Sequence, residues 1–342
     1  MIAHWSQEFP DDHIGLLVRS RHLDTVRNAV GESVSLYPSR LWPHALTIML
    51  ESRFASKRHK AEAVITHNFA SPFASNTFSF VHDFLFLDHP RWFGRMERLY
   101  FSLMPLTARF AKIIFTSSES EARRIRKHLP KNRVLPIGIG MTQELLNSNA
   151  DSSISTTLQI IPQNFDLTVG RLNVRKNLAM TIQAALASGR ATPLHPLIIV
   201  GEKNGKFEDL GTEALAAVEN GSIAFAGFVS DAQLKWLYAN ARLFIFASRG
   251  EGFGMPPVEA SYLGCPTLAS DLDIFHETLG DAASYADTSD LTKFTSALAN
   301  YDNATGGDTA VALAPAATLS WGKIVADMRT AISTEVPSCL LD

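Results

Sequence analysis

The chain has 342 residues, 46% hydrophobic and 19% charged. At roughly 100–200 residues per domain that suits about two domains with cores of their own, and it excludes a globally disordered protein. The formal net charge of −3 hides a division: residues 1–150 carry 19 Lys/Arg against 13 Asp/Glu, a net +6, and residues 151–342 carry 12 against 21, a net −9.

The start, MIAHWSQEFPDDH, lacks the basic-then-apolar pattern of a signal peptide. Short apolar runs alternating with helix-like stretches then follow, the pattern of α/β units with parallel strands. Strands are expected at 13–20, 62–68, 76–83, 111–118 and 133–138 in the first half. Ser118 and Glu121 form an S-x-x-E capping box opening a helix behind the fourth of these. Residues 142–160 are Ser/Asn-rich and aperiodic, and read as a linker where the charge changes sign. Further strands are expected at 165–170, 196–202, 222–229, 242–248 and 266–270. The reading is two Rossmann-like domains, 1–150 and 151–320, followed by a closing segment, 321–342. No apolar run approaches the roughly 20 residues needed to span a bilayer. Cys265 and Cys339 offer neither a zinc spacing nor a disulfide framework, so a cytoplasmic setting is expected.

In open α/β sheets ligands bind beyond the carboxyl ends of the strands, which directs attention to the loops. After 242–248 comes Ser248-Arg249-Gly250-Glu251-Gly252-Phe253-Gly254-Met255-Pro256-Pro257. Its glycines let backbone N–H groups approach a ligand, and the prolines suit the first turn of a helix whose positive end favours an anion. Any one glycine is compatible with a plain tight turn; the whole assembly behind a buried strand points further. Glu251 on the loop and Glu259 a turn into the helix are carboxylates suited to sugar hydroxyls and a ribose diol. After 165–170, Gly170 leads into Arg171 and, at a helix start, Lys176-Asn177. Arg171 and Lys176 read either as surface cations of a helix start or, because cations there oppose the helix dipole, as partners of an anionic ligand such as a pyrophosphate.

Other chemistries fit less well. Gly138-Ile139-Gly140 lacks the third glycine of a dinucleotide fingerprint. Asp271-Leu272-Asp273 is formally a metal-binding D-x-D but follows a strand and reads as a loop. His67, His82 and His89 show no metal-ligand spacing, and no Ser/His/Asp set stands out.

Residues 165–290 resemble the donor half of the retaining glycosyltransferases of family 4, which have the GT-B fold. The resemblance rests on VGR at 169–171, Lys176-Asn177, GFVSD at 227–231, LYANARLFIFASRGEGFGMPPVEA at 237–260 with its E-x7-E pair Glu251 and Glu259, and GCPTLASD at 264–271. It implies two Rossmann-like domains facing each other across a cleft, with no cofactor beyond a nucleoside-diphosphate sugar as co-substrate. Arg171 and Lys176 would neutralise the diphosphate and replace a metal. Glu251 and the amides of Gly252, Phe253 and Gly254 would hold sugar and phosphate, Glu259 would bind the ribose, and Phe228 and Val229 would border the base.

In the first half, VHDFLFLDHP at 81–90 resembles the His-Asp segment of mannosyltransferase-like members, which would place His82 near the transferred sugar. TSSESEARRIRKHL at 116–129 is family-like too, and SWGKIVADMRTAIS at 320–333 resembles the closing helix that crosses back to the amino-terminal domain. Family members open on a strand and a glycine-rich loop; this chain has no glycine pair before Gly15, so that strand is expected to be missing or divergent.

The expected activity is metal-independent transfer of a hexose, mannose first with rhamnose or glucose open, to a glycan or lipid-linked acceptor. Front-face attack would retain the anomeric configuration. A GT-B sugar-nucleotide epimerase and a non-catalytic sugar-nucleotide-binding regulator are the alternatives. Residues 91–112 mix arginines with large apolar side chains, which suits peripheral contact with an anionic membrane or an ordinary amphipathic helix. Nucleic acid is not an expected partner, and the oligomeric state is not specified.

Overall fold

A computed structural model describes residues 1–202, 210–301 and 320–336; Cys339 lies outside them. The chain forms two units. One takes in the described residues of Met1–Asp88, Arg95–Gly140 and Leu319–Asp342, the other those of His89–Gly94 and Met141–Thr318.

The first unit opens on a helix, Ile2–Glu8, where the family pattern has a strand. A separate parallel pair follows, β1 (Gly15–Arg19) and β2 (Ser35–Ser39). The hydropathy pattern does not announce β2. It is short, pairs only with β1 and contains Pro38, which an edge strand tolerates. A four-stranded parallel sheet comes next, in the order β3 (Val64–His67), β4 (Thr77–Val81), β5 (Ile113–Thr116), β6 (Arg133–Pro136). β4 and β5 are buried throughout, which is why they read as continuous apolar runs and not as alternation. Phe78, Phe80, Ile113 and Phe115 pack with Trp5 of the opening helix and with Val325, Met328 and Ile332 of the helix Trp321–Glu335. Arg329 of that last helix binds Asp12 through two hydrogen bonds of 2.8 Å, and the Trp5 indole N–H donates to the same carboxylate. The closing helix is thus part of the first unit's core.

The segment 142–160 is not a free linker. It holds the helices Gln143–Asn147 and Ser153–Leu158 and is bound to the helix Asp231–Asn240. Lys235 Nζ donates to the carbonyls of Leu146 (2.6 Å) and Ser148 (2.9 Å), satisfying acceptors that a helix end leaves open. The amino-terminal part of the first unit accordingly runs to Gly140, where the sequence reading has the boundary at 150.

The second unit is built on six parallel strands: β7 (Asp166–Val169), β8 (Leu197–Val200), β9 (Ile223–Gly227), β10 (Leu243–Phe246), β11 (Thr267–Ser270) and β12 (Ser284–Ala286). β12, three residues at the sheet edge, is too short and too polar to show in the hydropathy pattern. The spatial order is β12-β11-β10-β7-β8-β9, so the winding reverses between β7 and β10. This is the Rossmann order, and the reversal marks where a ligand binds.

Asp166, at the amino end of β7, is buried between two arginines. Arg190 reaches it at 2.9 and 3.2 Å and Arg242 at 3.1 and 3.2 Å. Removing one partner of such a buried group strands the opposite charges. Asp166→Ala is expected to cost about 3–5 kcal/mol in denaturant unfolding; a loss below about 1 kcal/mol, the range of a surface pair, would show that the cluster is not a keystone.

Candidate sugar-nucleotide site

The loops after β7 and β10 meet at the reversal point. The Ser248 hydroxyl donates to Glu251 Oε1 at 2.7 Å, Lys176 Nζ donates to the same oxygen at 2.7 Å, and Arg175 Nη1 donates to Oε2. Backbone ties join the loops as well, with Arg249 N–H donating to the Arg175 carbonyl at 2.8 Å. Glu251 is therefore a buried carboxylate held by two cations and a hydroxyl. Burial alone would raise its pKa, but Lys176 and then Arg175 outweigh it and hold the carboxyl below its usual range. For Lys176, burial pulls the ammonium below the usual lysine range while Glu251 opposes the shift. Its Nζ also lies 4.5 Å from the centre of the Phe246 ring, a cation–π contact from the end of β10.

Gly170 and Gly254 are required by shape. Gly170 has φ +148°, and a Cβ there would lie 3.0 Å from Lys176 Cε. Gly254 has φ +89°, and a Cβ there would lie 2.6 Å from Phe275 Cε1. Gly254 caps the helix Met255–Tyr262, whose second and third residues are Pro256 and Pro257. The prolines have no N–H, so the donors at this helix start are concentrated in the loop Gly252–Phe253–Gly254 and at Met255.

The other expected site residues are spread further. Glu259 accepts from the Tyr238 hydroxyl at 3.1 Å, and its burial raises its pKa. Arg171 is exposed on the loop after β7. Behind β9, Phe228 is 81% exposed and Val229 is buried. Asp271 bonds His276 at 2.6 Å and Asp273 opens the helix Asp273–Leu279, so that D-x-D is a loop running into a helix. Among the described residues no group of three or more His, Cys, Asp or Glu is gathered as a metal site requires.

The residue pattern alone misses Arg175, whose signal is its place beside Lys176, and Ser248, whose signal is its i, i+3 relation to Glu251. Asn177 is named in the Lys176-Asn177 motif, but without a role. Buried in the left-handed region (φ 57°), Asn177 donates to the Thr288 carbonyl at 3.1 Å and accepts from Arg249 Nε at 3.1 Å.

His82 follows β4 in the first unit. Its ring stands edge-on to His67 at 4.6 Å and to Phe80 at 5.1 Å, and burial lowers its pKa. His67 is pushed down to about 4 by the protein around it and by His82 and His44.

The segment after His82 is anchored through Glu121. The Ser118 hydroxyl accepts from Glu121 N–H at 3.0 Å, as the capping motif predicts. The Glu121 carboxylate is committed elsewhere: it accepts from Phe84 N–H at 2.8 Å and from Arg124, which also reaches Asp88 at 3.2 Å. Complete burial, opposed by Arg124, raises the pKa of Glu121 to about 8. The folded state then binds a proton that the unfolded chain has released above about 4.5, so stability falls as pH rises from there towards about 8. Glu121→Gln is expected to flatten this slope in melting curves across that range; an unchanged slope would place the effect elsewhere.

The family comparison falls on the second half of the chain. Residues 159–298 match the family model of the glycosyl transferases group 1. Over these residues the chain is similar to that family. The O-antigen chain mannosyltransferase B of Escherichia coli is 28% identical over 186 residues, 53% of this chain and 49% of that protein. The GDP-mannose:cellobiosyl-diphosphopolyprenol alpha-mannosyltransferase of Komagataeibacter xylinus is 27% identical over 191 residues, 55% of this chain and 46% of its own. The chain thus spans about half the length of these curated relatives. Among solved structures, sucrose-phosphate synthase from Thermosynechococcus elongatus superposes with a TM-score of 0.71 at 16% identity, covering 98% of this chain and 92% of that one. The fold is GT-B, as the resemblance implied.

Proposed function

We propose that the chain is a retaining glycosyltransferase that moves a hexose, mannose first, from a nucleoside-diphosphate sugar to a glycan or lipid-linked acceptor. The carrying observation is the cluster of Lys176, Arg175 and Glu251 beside the 252–254 loop, at the strand reversal of a Rossmann sheet. A nucleoside diphosphate leaves readily once its charge is met by preorganised cations and amides, and this site offers both; in this reading the transfer is metal-independent. In this reading Lys176 and Arg171 meet the diphosphate, Glu251 and the loop amides orient the sugar, and Glu259 takes the ribose. Phe228 and Val229 border the base, and His82 serves the transferred sugar. Mannose is favoured because relatives that match about half of this chain are named mannosyltransferases.

No helix among the described residues is long and apolar enough to cross a membrane; we place the protein in the cytoplasm, touching the membrane through 91–112. The test is a binding panel of mannose, glucose and rhamnose nucleotides, followed by turnover. Acceptor-dependent release of nucleoside diphosphate, undiminished in EDTA, is the expected result. Conversion of the sugar nucleotide without acceptor would indicate an epimerase, binding without turnover a regulator, and loss of all activity in EDTA a metal requirement.

A further inference from the structure

Large apolar side chains stand in solvent on two helical runs of the first unit. The first run comprises the successive helical stretches His44–Leu46, Thr47–Glu51 and Ser52–Arg58. Leu46, Leu50 and Phe54, four residues apart, form an outward stripe on it, with Phe54 70% exposed, and Trp42 just before them is 72% exposed. The second run comprises Arg95–Phe101 and Leu103–Ala108. There Met96 (77%), Leu99 (66%), Leu106 and Phe110 recur at helical spacing and face outward, while Met104, Thr107 and Ala108 fill the core. An amphipathic helix normally turns its apolar stripe inward; these two runs bury one set of side chains and present a second apolar set to water.

Both runs flank one loop. Ala70 N–H donates to Thr107 Oγ1 at 3.2 Å, the Ser71 hydroxyl reaches the Met49 carbonyl at 3.5 Å, and Ala45 N–H reaches the Tyr100 hydroxyl at 3.3 Å. At the loop's tip Phe73 is half exposed, with the Arg53 guanidinium 5.7 Å from its ring centre. The cations beside the stripes are Arg53, Lys57 and Arg58 on the first run and Arg95, Arg98 and Arg109 on the second, against Glu51 and Glu97. Glu51 Oε1 accepts from the N–H groups of Arg40 and Leu41, both at 2.9 Å.

We infer that the 42–58 run and the 95–110 run together form a docking surface for an anionic lipid bilayer, with the apolar stripes entering the headgroup boundary and the arginines and lysines meeting lipid phosphates. Apolar anchors ringed by cations suit that chemistry. The inference extends the membrane contact proposed through 91–112 and does not depend on the sugar-nucleotide site.

The test is flotation of the full chain with phosphatidylglycerol-containing vesicles and with pure phosphatidylcholine vesicles. Binding to the anionic vesicles alone, weakened by salt, is expected. Phe54→Glu and Leu99→Glu, both at exposed positions, should each weaken it by about tenfold or more, and Arg98→Ala by about fivefold, with melting temperatures unchanged. Failure to float with anionic vesicles, or unaltered binding in both Glu variants, would overturn the inference. So would a dimer in sedimentation that the same variants dissociate, since the surface would then belong to a second copy. Sugar-nucleotide binding by the same preparations separates the two proposals. If it persists while flotation fails, only the membrane surface falls; if it is absent while flotation succeeds, only the donor reading falls.

Discussion

Glu251→Gln is expected to lower sugar transfer by about two to three orders of magnitude, the cost of removing one preorganised electrostatic group from an active site, while leaving nucleoside-diphosphate binding intact or tighter. The split follows from the geometry. In the folded protein the carboxylate takes up hydrogen bonds from Lys176, Arg175 and Ser248. An amide of the same shape no longer neutralises the two cations, so both are freer to attract a diphosphate. The sugar loses its anionic acceptor, and the loss appears only when the sugar is present. Transfer kinetics and calorimetry with the nucleoside diphosphate alone test the two halves separately. Transfer within threefold of the wild type would remove Glu251 from the site. Equal losses of transfer and diphosphate affinity would mean that the carboxylate merely holds the loops together.

Much of this site is legible in the residues because its parts are local. The three glycines, two prolines and two glutamates between 250 and 259 lie on one strand–loop–helix unit, and the structure keeps them there. What is not legible is the coupling between loops distant in sequence. Arg175 looks like one more surface cation until β7 and β10 become neighbours and bring it to Glu251, 76 residues away. Tyr238 likewise reads as an apolar helix residue until its hydroxyl finds Glu259, 21 residues on. The same limit explains Glu121. Its spacing from Ser118 announces the capping interaction, but only the packing of the 82–88 segment against that helix shows that its carboxylate serves Phe84. Helical periodicity, in turn, identifies an apolar stripe between 96 and 110 but not its direction. Burial supplies that: Met104, Thr107 and Ala108 take the core, which leaves Met96, Leu99, Leu106 and Phe110 outside.

Lys176→Met should act in the opposite sense to Glu251→Gln. Methionine preserves length and keeps an apolar contact with the Phe246 ring, now as a thioether against an aromatic face. The diphosphate loses a charge-assisted hydrogen bond of about 1.5–3 kcal/mol, so nucleoside-diphosphate affinity should fall by roughly one to two orders of magnitude. The pH dependence carries a second signature. In the wild type Glu251 lies below its usual range because Lys176 and Arg175 overcome its burial. As with any carboxylate held low, its charge and the interactions that depend on it persist above the ordinary carboxylate range and are lost only as pH falls through the lowered value. Without Lys176 the burial is opposed only by Arg175 and the Ser248 hydroxyl, so the carboxyl protonates at higher pH. The acid limb of kcat/KM should therefore move upward in Lys176→Met, and in Lys176→Arg it should stay near the wild-type position because the charge is retained. An acid limb that does not move, or that moves to lower pH, would show that Lys176 does not set the charge of Glu251. Combining both substitutions is the decisive case: if the two side chains act through one another, the double variant loses less than the product of the single losses.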